Sequence, residues 1–536
     1  MNRQQRRAET KKARPAMQAA PPAVPPLLAA AVQNHKAGRM DEAERLYRQV
    51  LTVDPRNADG LHLFGLIAHQ KGRSDLAIDM IGRAIAINPA DASYHCNLGI
   101  AFKELGRVDE AVACYRVAIR LRPDYPEAHN SLGNTLGDQG HRDEAIACYR
   151  RALDLRPNYA EAHYNLGITL KEQGRLDEAV ASYRDAINLR PGYHDAHYNL
   201  GNALRDRRRL EEAVAAYRKA IDLRPDFPDA HHNLALALLA LGRLAEGWAE
   251  YEWRWGTADL LGARRSFAQP QWRGEATEGR TLLIHAEQGF GDTLQFCRYA
   301  VLAAARGPRV ILEVQPPLVR LLRGLAGACS VVGRGEDLPA FDLHCPMLSL
   351  PLALGTTLTT IPGAASYLCA DVALVENWRS RLAEMGDRGS RIGVAWAGKA
   401  SNTADSRRSM APKGLARLFE ISGLRFFSLQ KDGPTAPAHM PIIDFMGDVD
   451  DFADTAALIA NLDLVISVDT AVAHLAAALG KPVWLMDRFD ACWRWLDGRR
   501  DSPWYPRLRI YRQPRPGDWD SVLSEVVHDL RDLAEP

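Results

Sequence analysis

The sequence predicts a helical repeat solenoid followed by an α/β region of two doubly wound lobes. Two observations carry this expectation. Proline and glycine recur at a fixed 34-residue step through the first half. In the second half that step stops, and short apolar runs alternate with helical patterns.

Pro55, Pro89, Pro123, Pro157, Pro191 and Pro225 keep the step, as do Ala43, Ala77, Ala111, Ala145, Ala179 and Ala213. Gly38, Gly72, Gly106, Gly140, Gly174 and Gly242 keep it too, with Arg208 standing once where a glycine is due. A fixed period of this kind marks a stacked array. Each unit reads as a helix, a tight turn and a second helix, with small residues at the crossing. A proline then stops the second helix, because it lacks the N–H and clashes with the preceding turn. Period and positions resemble the tetratricopeptide repeat (TPR). The resemblance implies about seven units over residues 26–255, closed by the aromatic segment 247–255.

A TPR superhelix presents a concave face made mainly by the first helix of each unit. One position on that helix reads Asn97, Ser131, Asn165, Asn199 and Asn233. A side-chain amide offers a donor and an acceptor, which suits the backbone of an extended peptide. The ladder is similar to the one lining the superhelix of eukaryotic O-linked N-acetylglucosamine transferase. That likeness implies a protein or peptide partner held by Asn97, Asn165, Asn199 and Asn233. The bland alternative is that asparagine packs one turn against the next; Ser131 and Leu63 interrupt the ladder.

A length of 536 residues leaves room for about two to four domains. With 67 Lys plus Arg against 66 Asp plus Glu, the net charge is +1. Such a balance gives no bulk attraction to nucleic acid or to an anionic membrane, so no nucleic-acid partner is expected. No apolar run reaches the roughly 18 residues of a membrane-crossing helix. The first 25 residues are basic, then rich in Ala and Pro, and lack the apolar stretch of a secretory signal;. They read as a disordered tail. Eight cysteines without a C-x-x-C pattern read as small buried apolar residues in a reducing compartment. The expected location is the cytoplasm. Oligomeric state has no sequence signal.

Residues 256–280, with Pro and Gly, read as a linker. Continuous apolar runs follow at 281–286, 309–314, 391–398, 424–430, 463–469 and 482–487. Runs of this length between helices indicate a parallel sheet covered on both faces. Two lobes are expected, 281–370 and 371–536, with a cleft facing the carboxyl ends of both sheets.

At one such end stands 287–296, EQGFGDTLQF. Gly289 and Gly291 begin a dinucleotide fingerprint, but Leu294 holds the place of the third glycine, and no Walker pattern is present;. A nicotinamide dehydrogenase is therefore disfavoured. What remains is a tight strand-to-helix turn with Gly289, Gly291 and Thr293 around Asp292, and the pattern alone makes Asp292 a helix cap. At another strand end, Asp469 or Thr470 starts a helix whose first N–H groups belong to Thr470, Ala471 and Val472. Small residues at a helix start make a natural phosphate site. His474 lies one turn in; its alternative is a core histidine. The loop 398–412 carries Lys399, Arg407 and Arg408, cations able to neutralise phosphates or simply to face solvent. The aromatic stretch 491–506 leans toward the core. Asp448, Val449 and Asp450 form a D-x-D that reads as a helix cap, and no metal site is expected.

The segments 282–300, 309–322, 392–410, 450–484 and 493–506 together resemble TPR-linked bacterial proteins of glycosyltransferase family 9, which also contains the ADP-heptose:lipopolysaccharide heptosyltransferases. The resemblance implies a GT-B fold of two Rossmann-like lobes, with a nucleotide-sugar donor in the C-terminal one. It puts the proposed base on Asp292 and the phosphate motif on Asp469, Thr470, Ala471 and His474, with Ala471 where heptosyltransferases have glycine. A lysine that meets the diphosphate falls near Arg408. Lys399, Gln430 and Lys431 are further donor-side candidates. The implied activity is sugar transfer from a nucleotide-sugar to an acceptor hydroxyl, inverting and without metal or other cofactor. A protein is among the acceptors the TPR groove could recruit. The alternative is a non-catalytic TPR scaffold with a degenerate GT-B domain.

Overall fold

The computed structural model describes residues 24–386, 389–398, 405–431 and 433–534. The candidate Lys399 and the tail up to position 23 lie outside the described residues. The chain divides into two compact units, Met1–Ala196 and His197–Pro536.

The first unit is a stack of helix pairs, from Val24–Lys36 with Met40–Val53 to Ala160–Glu172 with Leu176–Leu189. Its turn glycines, from Gly38 to Gly174, have φ between +72° and +83°, the left-handed region that favours glycine. Ala43, Ala77, Ala111, Ala145 and Ala179 are fully buried at the crossings. Cysteine burial is less uniform than its type suggests. Cys96, Cys297 and Cys345 are buried, but Cys114 and Cys148 are half-exposed and Cys329 and Cys369 face solvent.

The second unit begins with the last repeats. Helices Leu210–Leu223, Pro228–Ala240 and Leu244–Tyr251 are followed by a 3-10 turn, Glu252–Gly256. Then come, among the described residues, ten strands: β1 (Thr281–His285), β2 (Arg309–Val314), β3 (Ala328–Gly333), β4 (Leu343–Pro346), β5 (Ser390–Ala395), β6 (Leu424–Ser428), β7 (Ile442–Asp444), β8 (Leu464–Val468), β9 (Val483–Asp487) and β10 (Leu508–Arg512). They form two all-parallel sheets, ordered β3-β2-β1-β4 and β10-β9-β8-β5-β6-β7. Strands β1, β8 and β9 are buried at every residue, because helices cover both faces.

In each sheet the strand order reverses once, between β1 and β4 and between β5 and β8. Loops diverge at such points and open a crevice at the carboxyl ends. The turn 286–289 after β1 and the turn 469–470 after β8 are therefore placed at crevices by topology. One apolar cluster contains Trp248 and Tyr251 of the last repeat together with Ile284, Phe296, Trp493 and Trp504 of the lobes. The end of the repeat array is thus part of the α/β core. No helix among the described residues is long and apolar enough to cross a membrane.

Candidate active site

The chain leaves β1 and enters a short helix, Phe290–Phe296, with Gly289 as its N-cap. Asp292 stands three residues in, and its Oδ2 accepts the Gly289 N–H at 2.9 Å. It caps the helix from inside, a role the pattern suggests. Its other oxygen, Oδ1, pairs with the guanidinium of Arg494 from the second lobe.

The rest of the turn is pinned residue by residue. Gln288 Nε2 donates to the Tyr251 hydroxyl at 3.0 Å, and Gln315 Nε2 donates to the Gln288 carbonyl at 2.8 Å. Thr293 is buried, and its hydroxyl donates to Gln315 Oε1 at 2.9 Å. Arg254, in the turn that ends the repeats, donates from Nε and Nη2 to the two oxygens of Glu287, both at 3.1 Å. This is the bidentate geometry that makes an arginine–carboxylate pair directional. Arg254 also donates to Ser349 Oγ at 2.8 Å and Glu252 Oε1 at 2.7 Å. Burial pushes the Glu287 carboxyl up to about 7, against the pull of Arg254.

The facing element is the helix Ala471–Ala478, which follows β8 through Thr470 in extended backbone. The Thr470 side chain does not cap it; its hydroxyl lies 3.1 Å from Ser467 Oγ. Among the described residues the amides of Ala471 and Val472 make no hydrogen bond. A cation reaches this turn, since Arg408 donates to the Asp469 carbonyl at 3.3 Å. His474 is buried, with Nδ1 2.9 Å from the Tyr505 hydroxyl and its ring stacked 5.2 Å from Trp495. Burial, then the charges of Arg494 and Arg298, hold it well below its ordinary value. It is a neutral core histidine, with Nε2 3.9 Å from the Asp469 carboxylate.

The two helix starts touch. A Cβ added at Gly291 would stand 3.0 Å from His474 Cδ2 and 3.8 Å from the Ala471 Cα. Gly291 is glycine because a helix of the other lobe passes there. Asp292, Arg408 and the 469–474 turn are therefore brought together.

Other candidates are engaged in the fold. Gln430 Oε1 accepts the amides of Trp396 and Ala397 at 3.1 and 2.9 Å, and the Lys431 ammonium sits on the Val449 carbonyl. Arg407 pairs with Asp490 at 2.6 Å. The D-x-D does not itself cap: Asp448 pairs with Arg381, while Asp451 caps the helix Phe452–Ala460. Arg320 of the first lobe bridges Asp451 and Asp454 at 2.8 and 2.6 Å.

In the first unit, Asn97 Nδ2 donates to His62 Nε2 at 2.8 Å, and Asn165 Nδ2 donates to Asn130 Oδ1 at 3.1 Å. In the second, Asn233 Nδ2 donates to the Tyr198 hydroxyl at 3.1 Å and to Asn202 Oδ1 at 3.0 Å, and Asn199 Oδ1 accepts from Asn202 at 3.4 Å. The amides of Asn97, Asn165 and Asn233 therefore stitch neighbouring repeats, as the packing alternative describes, while the bond at Asn199 stays within its own helix.

A cavity of about 480 Å³ opens beside the site. Arg205, Leu236 and Ala240 of the last repeats form one side, and the segment 488–497 the other; Tyr251, Gln288 and Arg494 also line it. Trp493, Trp495, Trp504 and Tyr505 are buried, as expected of the aromatic stretch. Arg494 between them was not anticipated, and neither were Arg254, Tyr251 and Glu287. Their roles depend on partners distant in sequence, and no local pattern announces them.

Models of the tetratricopeptide repeat match residues 36–93, 101–140, 130–194 and 201–242. The first half is an array of tetratricopeptide repeats. A model of glycosyltransferase family 9 (heptosyltransferase) matches residues 442–484, a stretch that contains Asp469, Thr470, Ala471, Val472 and His474 but neither Asp292 nor Arg494. Over 318 residues the chain is 27% identical to Protein FlbA of Caulobacter vibrioides, covering 54% of this chain and 52% of that protein. The chain thus spans about half the length of this curated relative. Among solved structures, MamA is similar at 26% identity and a TM-score of 0.28, over 30% of this chain and 93% of that one. The TPR protein YrrB is similar at 24% identity and a TM-score of 0.30, over 35% and 96%. Pseudomonas aeruginosa pilF is similar at 16% identity and 0.36, over 39% and 95%.

Proposed function

We propose that the protein is an inverting glycosyltransferase of the GT-B kind, whose acceptor is brought in by the TPR array. The observation that carries this is the contact of two helix starts from different lobes, with Asp292 on one and the unpaired amides of Ala471 and Val472 on the other. In this mechanism the acceptor oxygen attacks the anomeric carbon while Asp292 takes its proton, which requires hydrogen-bond reach between them. The bond from that carbon to the diphosphate breaks, and its electron pair leaves with the nucleoside diphosphate. The Ala471 and Val472 amides, the helix dipole behind them and Arg408 stabilise the charge that develops there. Asp469 and Thr470 shape the turn. His474, neutral and stacked on Trp495, supports the helix from below. No step in this scheme uses a metal.

The cavity between the last repeats and the segment 488–497 supports a protein acceptor, because it joins the repeat face to the neighbourhood of Asp292. The test is thermal shift with UDP-, GDP-, ADP- and dTDP-sugars, on the wild type and on Asp292→Asn. One nucleotide class should raise the melting temperature of both proteins, and only the wild type should then release the free nucleoside diphosphate with an acceptor present. A chain that shifts with none of the four is a scaffold, and the proposal fails.

A further inference from the structure

Among the described residues only two that are not glycine have a positive φ: Arg208 at 57° and Leu496 at 53°. Both flank a single contact. Arg208 occupies the repeat turn where glycine is due, a backbone region that any side chain disfavours. Strain of this kind persists where surrounding contacts enforce it.

Those contacts are specific. Arg208 Nε donates to Asp497 Oδ1 at 3.0 Å, and Nη2 donates to the same oxygen. Its guanidinium lies over the Phe489 ring, 5.5 Å from the centroid. The Asp497 amide donates to the Ala240 carbonyl at 2.8 Å, so the segment 488–497 is fixed to two successive repeat turns. Arg512 stands 4.0 Å from the same carboxylate. Between its anchors at Phe489 and Asp497 the segment does three things. Trp493 packs edge-on to Trp248 of the last repeat at 5.3 Å, Arg494 pairs with Asp292, and Trp495 stacks on His474.

We propose that Arg208 is a positioning residue: it clamps the segment 488–497 to the TPR array, so that Arg494 holds the Asp292 carboxylate in its working orientation. The break in the glycine period is then the price of coupling the repeats to the site. Only the effect on turnover rests on the glycosyltransferase proposal; the clamp does not.

Arg208→Gly separates the two consequences. Glycine restores the favoured turn residue, so the melting temperature should hold or rise, while the clamp is lost. Hydrogen exchange at residues 493–497 should speed up by about tenfold or more, with the repeat helices unchanged. Asp497→Ala should reproduce the faster exchange, and Arg208→Lys should restore part of the protection. With a donor and acceptor in hand, kcat should fall in Arg208→Gly while the donor KM stays the same. Unchanged exchange at 493–497 in Arg208→Gly overturns the clamp, and so does faster exchange spread evenly over the chain with a lower melting temperature. Selective local exchange in a protein that transfers no sugar leaves the clamp standing and removes the glycosyltransferase proposal.

Discussion

One short turn carries two carboxylate–arginine pairs, Glu287 with Arg254 and Asp292 with Arg494, and they differ in what surrounds them. In the first, the arginine side chain is 0% and the carboxylate 4% exposed. In the second the figures are 11% and 17%, beside a cavity that Arg494 lines. The first pair is bidentate and joins the turn to the end of the repeat array. The second takes one oxygen of Asp292 and leaves the other on a backbone amide of its own helix. The same chemistry serves as a bolt where water is excluded and, in the proposed function, as a working group where a cavity reaches its arginine.

The largest expected effect lies at the open pair. Asp292→Asn keeps an oxygen for the Gly289 amide and loses the proton acceptor, so turnover should fall by about 10²–10⁴-fold. Donor-induced thermal shift should survive. Initial rates with saturating donor decide this, and a loss smaller than tenfold removes Asp292 as the base. The closed pair should behave in the opposite way. Arg254→Ala leaves the Glu287 carboxylate buried without its partner, and stability should drop by about 3–5 kcal/mol in urea unfolding. A drop below about 1 kcal/mol would place Arg254 with ordinary surface pairs, and the contrast between bolt and working group would collapse.

The fold was legible wherever burial on both faces writes a continuous apolar run. The six runs found in the sequence are β1, β2, β5, β6, β8 and β9. The four unmarked strands, β3, β4, β7 and β10, are the edges of the two sheets. An edge strand needs less apolar sequence, as the alternating charges of Leu508–Arg512 illustrate. At the site, the two contiguous motifs were legible because a helix start is a local event. Arg494 and Asp292 are 202 positions apart, and Arg208 and Asp497 are 289 apart. Pairs at such separation leave no spacing to read. The one local trace was Arg208 in a glycine's place, visible as a break and without meaning until the loop it grips was in view.

Each arginine of the two pairs has a histidine that reports on it. His232, which lines the cavity, is held down to about 4 by burial first, then by Arg254 and Arg205. His474 is held down by burial, then by Arg494 and Arg298. Arg254→Ala should therefore raise the His232 titration in NMR and leave His474 in place, and Arg494→Ala should do the reverse. If both histidines move in both variants, the two pairs are one network. The sign for stability follows from the depressed value. The His232 contribution is present above the unfolded value near 6.5 and is lost as pH falls from there toward 4. The loss reaches about 2 kcal/mol by pH 5, measurable as a downward step in unfolding free energy that His232→Gln should flatten.

The smallest effect tests whether the same division, polar groups closed into the fold or left for a ligand, extends to the asparagine ladder. In the first unit Asn165 donates to Asn130 across neighbouring repeats at 3.1 Å, from a partly buried position. If that bond is what the asparagine is for, Asn165→Ala should lower the stability of the array by about 1 kcal/mol in urea unfolding. Binding of an acceptor peptide should then weaken no more than this loss of order implies. An unchanged unfolding midpoint together with lost peptide binding would put Asn165 with Asp292, among the groups kept available. The ladder would then be a binding surface whose bonds between repeats are a resting arrangement, exchanged for bonds to the peptide backbone.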